Sequence, residues 1–117
     1  MQPLRSVLAA LAERPDVLGA VVVSDEGLVI EAALPSGLDA DAAAAHTVGA
    51  QRAVAALAAT TDQGVPSEIV VASPGGTSVL VRLPSSATLL VLASPDADLG
   101  RLLYELRRHS PALTALV

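Results

Sequence analysis

Residues 39–62 read DADAAAAHTVGAQRAVAALAATTD, and half of the twenty residues between Asp41 and Asp62 are Ala. Ala is the best helix former and Asp a favoured N-cap, so the stretch predicts a helix from about Ala40 to Thr60, capped by Asp39. Beyond Asp41, its only formal charge is Arg52. A surface helix of a small domain carries an apolar stripe toward the core and a charged face toward water. This helix lacks the second feature. On a wheel of about 100° per residue, Ala43, Thr47, Ala50, Val54 and Leu57 make a strip expected to cover a sheet. Ala44, Val48, Gln51, Ala55 and Ala58 make a second uncharged strip, with Asp41, Ala45 and Arg52 beyond it. A second uncharged strip implies a second partner, and a copy of the same helix about a two-fold axis is the simplest one.

On either side of this helix the pattern alternates between apolar runs and turn residues. Pro3 suits a first helical turn, and Leu4, Val7, Leu8 and Leu11 then repeat at helical spacing up to Arg14-Pro15. LGAVVVS and LVIEAAL read as strands joined through Asp25-Glu26-Gly27, a hairpin with a glycine available for positive φ. After Gln63-Gly64-Val65-Pro66, three more strands follow: SEIVVAS, TSVLVRL and TLLVLAS, separated by Pro74-Gly75-Gly76 and Pro84-Ser85-Ser86. Asp96 or Asp98 caps a last helix with Leu99, Leu102, Leu103 and Leu106 on one face, which Pro111 is expected to stop.

The first and fifth strands are apolar on both faces, which places them centrally. The expectation is an α+β fold, αββαβββα, with one domain over residues 1–117. Its five-stranded, mostly antiparallel sheet has the order 2-1-5-4-3 and helices on both faces. The third strand is then an edge, and Ile69-Val70-Val71-Ala72 offers little charge against pairing with another chain. The expected self-interface therefore comprises Ala44, Val48, Gln51, Ala55 and Ala58 on the helix, with Ile69 and Val71 on the strand. Asp41, Ala45 and Arg52 form the expected surface for a further partner.

Composition removes several function classes. The chain has 117 residues, a net charge of −5, seven Arg, no Lys and no Cys, and its only aromatic residue is Tyr104. Nucleic-acid and anionic-membrane binding call for basic surfaces. Two His without Cys make a zinc site unexpected. His46 has no acid one turn away to orient it as a general base, and His109 beside Arg108 answers the dipole of the last helix. Pro74-Gly75-Gly76-Thr77 lacks the Lys of a phosphate-cradling loop. No catalytic residue, cofactor or metal is expected. No apolar run reaches the roughly 20 residues that span a bilayer. MQPLRSVLAALAERP does not read as a secretory signal, so a cytoplasmic location and no membrane insertion are expected.

Together, Leu18-Gly19-Ala20-Val21-Val22-Val23, Asp25-Glu26-Gly27-Leu28-Val29, the Ala-rich helix and Leu99-Gly100-Arg101 resemble the roadblock/dynein light chain family, and within it the bacterial MglB-type regulators of Ras-like GTPases. The resemblance covers essentially the whole chain. It implies the middle helix on one face of the sheet and the first and last helices on the other. It also implies dimers joined through middle helices and third strands, and a role as a non-enzymatic homodimeric adaptor or regulator of a small Ras-like GTPase. A scaffold blind to the nucleotide state is the alternative. A small-molecule sensor is disfavoured by the near absence of aromatic side chains to line a pocket.

Overall fold

A computed structural model describes residues 3–117. Its elements follow the expected order: α1 (Leu4–Ala12), β1 (Val17–Val23), β2 (Val29–Ala33), α2 (Ala40–Thr60), β3 (Glu68–Ser73), β4 (Gly76–Arg82), β5 (Thr88–Ala93) and α3 (Leu99–Thr114). The sheet order is β2-β1-β5-β4-β3. All four pairings are antiparallel.

Side chains that alternate along the strands feed two separate cores. On one face, Ala20, Val22, Val79, Leu89 and Val91 pack under Leu8 of α1 and Leu102, Leu106 and Leu113 of α3. On the other, Val21, Val23, Leu80 and Leu90 pack under Ala44 of α2. The double-sided apolar runs of β1 and β5 are thus explained by burial on both faces. Each fully buried Val or Leu contributes about 1.5–3 kcal/mol. Without aromatic rings, that contribution comes from many small, close-fitting aliphatic groups. Tyr104, 63% exposed, lies on the wet side of α3.

Local signals act where the sequence places them. Asp39 accepts from the Ala42 amide at 3.1 Å, and Asp98 accepts from the Arg101 amide at 3.2 Å, so Asp98 caps the last helix. Gly27 takes φ +86° in the β1–β2 turn. Gly76 takes φ +147°, and a Cβ there would stand 2.5 Å from the Ala93 carbonyl oxygen; only glycine fits. One expectation fails at Pro111, which does not stop α3. The helix continues to Thr114, and Leu113, two residues beyond the proline, is only 3% exposed. Burying that leucine offsets the hydrogen bond that Pro111 has no N–H to make.

Candidate partner-binding surface

The rotation of α2 decides which residues a partner can reach: of the strip expected to cover the sheet, Thr47 is buried and Ala43 and Ala50 pack against the α2-side core, but part of the second strip is buried as well. Ala44, Thr47 and Ala58 are buried. Gln51 Nε2 donates to Thr88 Oγ1 of β5 at 2.7 Å. Val48 packs at the margin of the α2-side core, and Ala55 is half-buried. The strip Ala44, Val48, Gln51, Ala55, Ala58, expected to meet a second copy, therefore lies against the chain's own sheet or along its margin. Leu57, expected to face the sheet, is instead 64% exposed. The turn at Gly27 lies beside the start of α2: a Cβ there would stand at ordinary contact distance, 3.6 Å from the Ala45 Cα and 3.7 Å from the Ala44 carbonyl oxygen.

The outward face that results carries Ala42, Ala45, His46, Gly49, Ala53, Ala56 and Leu57, all exposed. Asp41 and Arg52 are exposed on one flank of it, as expected, and neither has an ion-pair partner among the described residues. Eleven residues separate them, three helical turns or roughly 16 Å, too far for an intrahelical pair. The physical situation inferred from composition thus exists, on a different set of residues. A helix that is sealed inward by Ala44, Gln51 and Ala58 presents a second face with little charge and much small apolar surface.

The free edge of β3 adjoins the same sheet face. Ile69 is half-buried, whereas Val70 and Val71 are 44% and 45% exposed. By alternation from Leu80, Ile69 and Val71 lie on the α2 side. The start of β3 is pinned from the other side of the sheet: Arg107 of α3 donates to Glu68 through Nη2 at 2.5 Å and Nε at 2.6 Å. This forked bond holds the Glu68 carboxyl below the ordinary glutamate range, against the opposing effect of partial burial.

The two imidazoles stand apart, His46 on α2 and His109 on α3. Among the described residues no group of three or more acidic or imidazole side chains is placed to hold a metal ion. No helix among them is long and apolar enough to cross a membrane. A groove of about 390 Å3 runs between α1 and α3, on the face opposite α2. Sequence reasoning did not anticipate it. The side chains that form it read simply as the core stripes of two amphipathic helices.

Comparison with known proteins follows the same architecture. No curated protein matches the chain. Among solved structures, MglB of Myxococcus xanthus superposes with a TM-score of 0.87 at 18% identity, over 97% of this chain and 93% of that one. A Roadblock/LC7 domain from Streptomyces avermitilis gives 0.78 at 28% identity, over 97% and 93%. The gliding protein MglB of Thermus thermophilus gives 0.80 at 18% identity, over 99% and 97%. The sequence profile of the Roadblock/LC7 domain matches residues 4–93, ending at the last strand before α3. The chain belongs to the Roadblock/LC7 domain family.

Proposed function

We propose that this chain is a non-enzymatic adaptor that forms a homodimer and binds a small Ras-like GTPase. One observation carries the proposal: the outward face of α2 is exposed, small and nearly uncharged, beside a β3 edge whose single charge, Glu68, is clasped by Arg107 at its start. A monomer gains nothing by leaving such a surface wet. Two copies related by a two-fold axis cover it on both sides, through α2 against α2 and β3 against β3. The fold likeness to MglB supports the GTPase as partner, which would dock on the composite surface of two α2 helices, where Asp41, Ala45 and Arg52 supply the available polarity.

Two measurements test this reading. Light scattering at micromolar concentration should return the mass of two chains; the mass of one removes the homodimer. A pull-down with a Ras-like GTPase from the same genome, loaded with GTP and then GDP, should retain one form preferentially. Retention of neither sinks the GTPase assignment. Equal retention of both makes the dimer a scaffold blind to nucleotide, since a ligand with equal affinity for two states cannot shift them.

A further inference from the structure

Asp41 and Arg52 are the two formal charges of α2, both exposed and neither ion-paired among the described residues. Eleven residues bring an α-helix back to within about 20° of the same bearing, so both charges stand on one flank. Ala45, exposed, and Val48, half-buried, complete that flank within about 60° of arc. Gln51, further inward on the same side, reaches Thr88 of β5. The flank is therefore turned toward the half of the sheet that runs through β5 and β4 to the open β3 edge. His46 and Leu57 lie on the other flank.

These four residues are symmetric about a point of the helix. Asp41 and Arg52 are centred midway between His46 and Thr47, and so are Ala45 and Val48. Two copies of α2 set antiparallel about a two-fold axis at that point meet in matched pairs. Asp41 faces the partner's Arg52, Ala45 faces the partner's Val48, and the same contacts recur on the far side of the axis.

We infer that α2 pairs with its own copy in this register, through two reciprocal Asp41–Arg52 ion pairs that bracket a seam of Ala45 and Val48. The inference rests on the homodimer proposed above and assigns its register and its preference for self. Charge selects this arrangement among the alternatives. A parallel pair of helices would set Asp41 against Asp41 and Arg52 against Arg52, which is repulsive. A slip by one turn in either direction leaves each charge opposite an uncharged residue. The small Ala45 side chain lets the axes approach to about 8 Å, the close end of the range for packed helices, where a short Asp still meets a long Arg. Ion pairs at the rim of an interface add little affinity but much partner discrimination. A homologous chain without an acid and a base at these two positions would dock its helix less well than a second copy does.

Charge reversal followed by sedimentation equilibrium tests the register on the full chain. Asp41→Arg and Arg52→Asp each make both reciprocal contacts repulsive, and each should weaken self-association about tenfold or more. Mixing the two variant chains restores attraction at both contacts, so they should combine as a heterodimer with close to the parent's affinity. The double variant Asp41→Arg/Arg52→Asp should regain the homodimer in the same way. Circular dichroism checks that each variant keeps its helices, and recovery in the double variant cannot come from the fold, since that chain carries both substitutions. A parent of single-chain mass removes the homodimer and the register with it. A dimeric parent whose single variants stay dimeric, or whose two variant chains fail to combine, overturns the register alone.

Discussion

Gln51 of α2 and Thr88 of β5 are joined by a 2.7 Å hydrogen bond beneath the middle helix, where Thr88 is 3% exposed. This bond ties α2 to the sheet on the side where Ala44, Thr47 and Ala58 are buried. Gln51→Ala leaves the Thr88 hydroxyl without its partner and is expected to cost about 1–2 kcal/mol in chemical denaturation. Thr88→Val should cost a similar amount, and the double variant less than the sum of the two. Additive losses would mean that the two side chains do not act on each other.

The inner and outer faces of α2 should respond oppositely to charge. Ala44→Glu places a carboxylate in a fully buried position and should destabilise the chain by about 3 kcal/mol or more. Gly49 has open space around its α-carbon. Gly49→Glu should improve helix propensity by about 0.5–1 kcal/mol while dissociating the dimer, seen as a single-chain mass in light scattering without loss of helicity. A stable Gly49→Glu dimer would place the self-interface elsewhere.

The β3 edge offers a second handle on assembly. Val71 is 45% exposed on the open strand, and Val71→Lys introduces the kind of charge that natural edge strands use against pairing. The expected result is weaker self-association by analytical ultracentrifugation, with little change in the unfolding of dilute protein.

At Gly76, both the positive φ and the adjacent Ala93 carbonyl exclude a side chain. Gly76→Ala should destabilise by more than about 1 kcal/mol, because strain and steric contact act together. A melting temperature equal to that of the parent would show that the β3–β4 turn relaxes freely.

The clasp between Glu68 and Arg107 predicts a pH dependence. Its forked hydrogen bond depresses the Glu68 pKa in the folded chain. A depressed carboxylate stabilises the fold above its ordinary titration range, and that contribution disappears as pH falls through the folded value. Glu68→Gln should therefore lower stability at neutral pH, and its difference from the parent should close in acid. Urea titrations at several pH values check the sign; a difference that widens in acid contradicts it.

Element order, strand order and the Asp39 cap were legible because each rests on a local rule: alternation, turn residues, or a carboxylate three residues ahead of an amide; the same rule left Asp96 and Asp98 both open for the last helix. The rotation of α2 was legible only in part: Ala43, Thr47 and Ala50 face the core as expected, whereas Leu57 does not and Ala44 and Ala58 do. When ten of the twenty residues between Asp41 and Asp62 are Ala, neighbouring strips of the wheel differ little in hydropathy. The deciding facts are then long-range, among them the Thr88 hydroxyl on the sheet, which Gln51 reaches. The exposure of Asp41, Ala45 and Arg52 survived that error, because charge marks a wet flank whichever apolar strip turns inward. Pro111 misled for a related reason: its local cost is visible in the sequence, and the burial of Leu113 that offsets it is not.

The exclusion of aromatic rings from both cores leaves Tyr104 as a lone chromophore on the solvent side of α3. The molecule is consequently almost dark in near-ultraviolet spectroscopy, and its own folding gives little optical signal there. That silence is useful: one tryptophan installed on the outward face of α2, or carried by an incoming partner, would glow against an empty background and report docking without any attached dye.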